Sequence, residues 1–309
     1  MRIVVHGQQA FGKAVLEALL KRGEQVVAVY VAPDRAGENA DPLKAAALAA
    51  GLPVRQPTSF RDPAVIDEFR ALAPDLQAMA YVTLYVPSAF LDIPTRGSIQ
   101  FHPSLLPRHR GPSSINWPII MGERETGLSI FWPDDGLDTG DILLQKTTPI
   151  GPDDTLGSVY FDRLFPMGVA GMLEAIELIG AGKAPRLKQD ESAATYEGWC
   201  THDNARIDWS KPLRQTYDLI RGCNPQPGAW TMHRGEILRV YDARPSPARQ
   251  PAGIGGRMGQ VVAVDGEAIS VACADGRMKL LRVKFGAGPK SKAGDLAPTI
   301  GLAAGMRFE

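Results

Sequence analysis

Three observations predict an α/β fold, a doubly wound and mostly parallel sheet, followed by a second, smaller β-barrel-like domain. Short runs rich in Val and Ile alternate with segments whose apolar residues recur at helical spacing through the first two thirds of the chain. Those runs end in turns bearing Gly, Pro and polar residues, the way open α/β sheets present chemistry at strand C-termini. Beyond Ala184 the texture changes to Gly- and Pro-rich segments with short alternating runs.

In chain order, Ile3-Val4-Val5 reads as a buried strand. Phe11 to Leu20 follows as a helix through Val15, Leu16, Leu19 and Leu20, stopped by Arg22-Gly23. The run Gln25 to Val31 is nearly continuous in valine and completes a βαβ unit. Helices are expected at Pro42 to Ala50 and Ala64 to Leu72, a strand at Leu76 to Ala80, and another from Ser98 that delivers His102 at its end. Leu128 to Trp132 and Ile142 to Leu144 read as strands flanking a tight acidic loop. A helix over Thr155 to Gly180 is interrupted by Pro166 and Gly168. Strands at Ile237 to Tyr241, Gln260 to Val264, Ile269 to Cys273 and Met278 to Lys284 make a small all-β domain. The expected domains are residues 1–195 and 196–309, with a mobile loop from Pro245 to Gly259.

Composition excludes several classes. At 309 residues, 44% hydrophobic and 22% charged, the chain has the make-up of a soluble protein, with no apolar run long enough for a bilayer. Met1-Arg-Ile-Val-Val enters a strand at once, without a signal-peptide layout, so a cytoplasmic location is expected. Cys200, Cys223 and Cys273 are too few and too scattered for a disulfide framework or a four-ligand zinc site, and the five histidines show no metal-ligand spacing. No metal is expected. Net charge is zero, yet residues 200–309 carry 16 Lys and Arg against 10 Asp and Glu while residues 1–199 carry 18 against 24. That asymmetry fits ordinary surface variation or a basic face for an anionic acceptor.

Gly7-Gln-Gln-Ala-Phe-Gly12-Lys13 fits P-loop spacing, but Ala14 replaces the hydroxyl that would hold magnesium, and the loop does not read G-x-G-x-x-G. A tight structural βα turn is expected, without nucleotide or NAD. His102, taken alone, reads equally as a hydrogen-bonded structural histidine or a catalytic one. In Asp134-Asp-Gly-Leu-Asp-Thr-Gly-Asp141 the aspartates suit turns and caps, and Gly136 and Gly140 suit backbone angles that other residues resist. Arg108 and Arg110 either brace the turn around Leu105-Leu106-Pro107 or contact anionic ligand groups.

The stretch Ser98-Ile-Gln-Phe-His-Pro-Ser-Leu-Leu-Pro-Arg-His-Arg-Gly111, followed by Ser114-Ile-Asn-Trp, Ser129-Ile-Phe-Trp and Asp134-Asp-Gly-Leu-Asp-Thr-Gly-Asp141, resembles the formyltransferase family that uses 10-formyltetrahydrofolate. The resemblance is greatest to the hydrolase domain of 10-formyltetrahydrofolate dehydrogenase and more distant to methionyl-tRNA formyltransferase. It runs over nearly the whole chain, with Ala194-Thr-Tyr-Glu-Gly198 a late match. No dehydrogenase-length extension follows Glu309, so the hydrolase-like part alone is expected.

The resemblance implies that His102 is catalytic, supplying a hydrogen-bond donor where charge gathers on the formyl oxygen. It implies that Asp138 orients His102 and takes a proton from the attacking group. Met79, Tyr81, Val82, Leu84 and Tyr85 would line the pterin pocket, although plain core is the other reading, and Asp134, Asp135 and Gly136 would bring the acidic loop to the pterin. Gln100 departs from the pattern: transferases of the family carry Asn there and the folate hydrolase domain an apolar residue, so its amide either donates to the oxyanion or points elsewhere. The implied partners are 10-formyltetrahydrofolate as donor and a small amine or water as acceptor. Asn224-Pro-Gln-Pro227, typical of the tRNA enzymes, keeps initiator tRNA as an alternative. A folate-binding module without turnover is a further one, against which the retained His102 and Asp138 stand; an NAD-dependent oxidoreductase lacks its glycine fingerprint.

Overall fold

The computed structural model describes residues 1–34, 37, 39–247 and 256–309. The chain forms two compact units, the first of residues 1–111, 126–148 and 161–196, the second of residues 112–125, 149–160 and 197–309. Two excursions from the N-terminal part therefore group with the C-terminal part, which sequence order alone does not reveal.

The first unit holds a seven-stranded sheet in the order β3-β2-β1-β4-β5-β6-β7, from β1 (Arg2–Gly7), β2 (Gln25–Tyr30), β3 (Val54–Arg55), β4 (Leu76–Ala80), β5 (Ser98–His102), β6 (Glu125–Phe131) and β7 (Ile142–Pro149). Strands β1 to β5 pair in parallel and β6 runs antiparallel to β5. Strand order reverses between β1 and β4, the switch point at which such sheets bind ligands. The strands read as continuous apolar runs because both faces are covered. Ile3 and Val5 pack with Val15, Leu16, Phe101 and Met172 on one face, while Val4 packs with Tyr30, Phe69, Met79 and Phe90 on the other.

Helix α1 (Gln9–Lys21) buries Phe11, Val15, Leu16 and Leu19 and ends where Gly23 takes a φ of +80°. Helices α2 (Pro42–Ala49) and α3 (Pro63–Ala71) each begin with an Asp cap and a Pro in the first turn; Leu43 N–H donates to Asp41 at 2.8 Å and Ala64 N–H to Asp62 at 2.9 Å. A single turn, α4 (Ser88–Leu91), precedes β5. Gly7 and Gly12 serve close packing: a Cβ on Gly7 would lie 2.0 Å from the Ala80 carbonyl oxygen, and one on Gly12 would lie 2.9 Å from Leu43.

The expected interruption of the helix over Thr155–Gly180 lies elsewhere. Thr155 and Ser158 form a capping box on the short α6 (Leu156–Val159), a π-helical turn spans Tyr160–Leu164, and α7 (Phe165–Gly180) then runs unbroken. Pro166 sits in the first turn of α7, directly after the π-helical turn. Gly168 lies inside α7 because a Cβ there would strike the Phe101 ring at 2.6 Å.

The second unit includes α5 (Asn116–Ile120) and a six-stranded antiparallel sheet. Its strands are β8 (Ala229–His233), β9 (Glu236–Pro247), β10 (Val261–Val264), β11 (Ile269–Cys273), β12 (Gly276–Phe285) and β13 (Ser291–Lys292), with path β10-β11-β12-β9-β8 and β13 on β12. It is not all-β. Helices α8 (Leu213–Gly222) and α9 (Ala293–Thr299) belong to it, and α8 buries Leu213, Tyr217 and Ile220 at helical spacing beneath a polar face. Two of its charged residues, Asp218 and Arg221, are themselves buried, paired at 2.6 Å, so its inward face is not marked by apolar residues alone. The expected loop at Pro245–Gly259 begins later than predicted, since Pro245, Ser246 and Pro247 extend β9 along β12; residues 248–255 lie outside the described residues. Among the described residues no helix is long and apolar enough to cross a membrane.

His6 at the end of β1 is 3% exposed and takes a 2.8 Å hydrogen bond at Nδ1 from the Gln77 amide. Burial pulls its imidazole down from 6.5 to about 3. In that window the unfolded chain takes up a proton that the folded one refuses, so this contribution to stability is complete above the upper value and falls as pH drops, by up to about 1.4 kcal/mol per pH unit. We expect His6→Gln to lose less stability than the parent between about pH 7 and about pH 5; denaturant midpoints at the two pH values measure it, and equal losses would remove His6 as the cause.

Candidate active site

Strand β5 alternates. Ile99 and Phe101 enter the apolar core, so Gln100 and His102 share the opposite face. His102 is 6% exposed, and its Nε2 lies 2.8 Å from the carbonyl oxygen of His109. A carbonyl only accepts, so Nε2 carries a hydrogen. The other nitrogen, Nδ1, lies 3.5 Å from Asp138 Oδ2, and both side chains are 8% exposed. Any proton on Nδ1 therefore points at a carboxylate. The separation exceeds a direct hydrogen bond.

Asp138 comes from the loop between β6 and β7, which the Trp132 N–H closes onto the Asp141 carbonyl at 2.8 Å. Oδ2 accepts the Gly111 N–H at 2.8 Å, while Oδ1 accepts no hydrogen bond among the described residues. Asp138 itself holds the left-handed conformation, with φ of +57°. The expectation that Gly136 and Gly140 supply unusual backbone angles is thus corrected: neither is left-handed, and what they supply is the lack of a side chain. A Cβ on Gly140 would lie 1.7 Å from the Trp132 carbonyl oxygen, and one on Gly136 would lie 2.0 Å from Thr139 Oγ1.

The remaining expected residues divide. Gln100 is half-buried and its amide makes no hydrogen bond among the described residues. Asp134 closes its own loop, accepting from the Gly136 N–H at 3.0 Å and from Thr139 Oγ1 at 2.5 Å. Asp135 accepts from the Ser88 N–H and the Tyr85 hydroxyl, each at 3.0 Å, and these bonds, the Ser88 N–H foremost, hold its carboxyl below the usual range. Met79 is core on the α3 and α4 side. Tyr81, with φ of +68°, and Tyr85 are about half exposed, and Val82 and Leu84 lie partly buried between them. Tyr81, Val82 and Leu84 line a small cavity at the switch point together with His6, Gln8 and Thr83. The last three were not among the expected residues; only their place at or just beyond the ends of β1 and β4 signals them.

Arg110 resolves toward bracing. It is fully buried, and its guanidinium donates to Gln189, Glu191 and Tyr196. In the second unit, Trp230 is core and Cys223 is fully buried with its sulfur 3.9 Å from that of Cys200. That contact and its burial push the Cys223 thiol up, which leaves no thiolate for nucleophilic work.

Residues 1–176 match the family model described as formyl transferase, and residues 200–299 match the formyl transferase C-terminal domain. The chain is 43% identical over 266 residues to the cytosolic 10-formyltetrahydrofolate dehydrogenase of Xenopus laevis, covering 83% of this chain and 29% of that protein. It thus spans less than a third of the dehydrogenases it matches. It is 39% identical over 289 residues to the methionyl-tRNA formyltransferase of Moorella thermoacetica, covering 92% of this chain and 91% of that one. Among solved structures, HypX from Aquifex aeolicus in complex with tetrahydrofolic acid has a TM-score of 0.68 at 19% identity, over 97% of this chain and 47% of that one. An N-formyltransferase from Helicobacter canadensis in complex with folinic acid and dTDP-3-aminofucose has a TM-score of 0.68 at 18% identity, over 92% and 100%. These two likenesses speak to fold; the family models and the two relatives speak to descent, and the chain belongs to the formyl transferase family.

Proposed function

We propose that the chain transfers the formyl group of a 10-formyltetrahydrofolate to a small amine or to water. The observation that carries the reading is the buried pair of His102 and Asp138 at the end of β5. As the attacking atom bonds to the formyl carbon, negative charge gathers on the formyl oxygen, and since the His109 carbonyl holds Nε2–H, the donor that meets this charge is a hydrogen on His102 Nδ1, the nitrogen beside Asp138, most effective where water is excluded. Asp138, with Oδ1 uncommitted, takes the proton that the attacking amine or water must lose, and the folate nitrogen leaves with a proton in its turn. Gln100, two residues before His102 on the same strand face, offers a second amide donor. The half-exposed Tyr81 ring and the partly buried Val82 and Leu84 after β4 offer aromatic and apolar surface for the pterin.

A second reading takes aminoacyl initiator tRNA as acceptor, supported by the nearly end-to-end match to a methionyl-tRNA formyltransferase and by Asn224-Pro-Gln-Pro227. Against it, net charge is zero, and binding to a phosphate backbone draws on several Lys and Arg contacts that release counterions.

His102→Ala and Asp138→Ala should each slow tetrahydrofolate formation, followed by absorbance, by roughly 10²–10³ while folate binding persists. Turnover within tenfold of the parent in either variant would defeat the assignment. Gln100→Asn should raise the ratio of formylated amine to formate and Gln100→Leu should lower it; identical product ratios in both would remove Gln100 from the site. Charged initiator tRNA should bind weakly and gain no formyl group. Tight binding that weakens steeply with salt, with formylmethionyl-tRNA as product, would establish the second reading instead.

A further inference from the structure

The segment from Arg186 to Tyr196 makes no contribution to the expected chemistry, yet it bonds to Asp138 and to His109, the residue that carries the acceptor of His102 Nε2. It enters by pairing Leu187 with Ile142, the first residue of β7, through N–H to carbonyl bonds of 2.8 and 3.0 Å. Near its far end, Thr195 Oγ1 accepts the His109 N–H at 2.8 Å and the Thr195 carbonyl accepts the Arg110 N–H at 3.0 Å. His109 is the residue whose carbonyl accepts from His102 Nε2.

Gln189 lies between these anchors. Its Oε1 accepts from Arg110 Nε at 3.1 Å and Nη2 at 2.8 Å, while its Nε2 donates to the carbonyl oxygens of Asp138 at 2.9 Å and Gly140 at 2.7 Å. Only one orientation of the amide satisfies this set, because a guanidinium only donates and carbonyls only accept. Arg110 cannot turn away. It is fully buried, and Glu191 takes two of its N–H groups at 2.6 and 2.9 Å. That ion pair holds the Glu191 carboxyl below the usual range. The loop Gln189 grips needs holding, since Asp138 sits in a left-handed conformation that costs a residue with a Cβ roughly 1–2 kcal/mol. The adjacent Gly111 N–H fixes the carboxylate while Gln189 fixes the main chain behind it.

We propose that Gln189, oriented by Arg110, is a positioning residue that sets the placement of the Asp138 carboxylate against the His102 ring. This rests on the reading that His102 and Asp138 carry formyl transfer. Displacing a reacting group by about 1 Å can cost as much as about 10² in rate. Gln189→Glu keeps the size and the partner for Arg110 but turns two donors into acceptors facing carbonyls; Gln189→Met removes the amide without adding charge. In both variants kcat should fall by about tenfold or more with KM for the folate within about threefold, and the ¹⁵N shifts of the His102 ring at neutral pH should move. A kcat within twofold of the parent with unmoved ring shifts in both variants would overturn the proposal. So would a loss of kcat accompanied by an equal rise in KM and a collapsed melting temperature in both, the mark of a structural role alone. Should the parent protein itself fail to turn over, the formyl-transfer reading falls separately, and the ring shifts of the variants still decide whether Gln189 couples to His102.

Discussion

Two acceptors flank one buried imidazole, and much of the first unit serves to keep them there. The His109 carbonyl fixes which nitrogen of His102 carries hydrogen, and the Asp138 carboxylate faces the other. Neither acceptor would stay beside a ring that is 6% exposed unless its own backbone were held, because a buried polar group without a partner costs about 1–3 kcal/mol. His109 is held through its N–H by Thr195, and Asp138 is held at its carboxylate by Gly111. The placement of this imidazole and its acceptors is therefore a property of three chain segments rather than of two side chains.

Close backbone approach is the second constraint. Gly7, Gly140 and Gly168 stand where an added Cβ would lie 2.0, 1.7 and 2.6 Å from neighbouring atoms. Gly7 lets β1 end against the Ala80 carbonyl, beside the cavity at the switch point, and Gly168 lets α7 settle on Phe101, directly before His102 in β5. Gly140 lets the loop carrying Asp138 double back onto Trp132. Each bears on the site through packing, so substitution at these positions would act on geometry before it acted on chemistry.

The acidic loop divides its labour in a way composition does not suggest. Asp134 closes the loop on itself, Asp135 ties it to Ser88 and Tyr85, and Asp138 alone turns toward the imidazole. The left-handed backbone at Asp138 aims it, and aspartate tolerates that conformation better than most residues with a Cβ. Charge in this loop is thus spent mainly on local hydrogen bonds.

By itself the sequence determined the elements that depend on local pattern: the apolar runs that become β1, β2, β4 and β5, the helices capped by Asp41-Pro42 and Asp62-Pro63, and the placing of His102 at a strand end. The resemblance of the motifs that carry them made His102 and Asp138 candidates, since the histidine ending β5 read alone as structural or catalytic alike and the aspartates of the acidic loop suited turns and caps. The tertiary structure decided what depends on contacts distant in sequence. No periodicity marks Gln189, which acts on Asp138 through a bond spanning 51 residues, nor Thr195, which reaches His109 across 86. Helix α8 belongs with these, because Asp218 and Arg221 break its apolar pattern in the sequence and only inside the fold neutralise each other. The role of Gly140 is a steric one, and only the folded chain shows which atom its missing side chain would have struck.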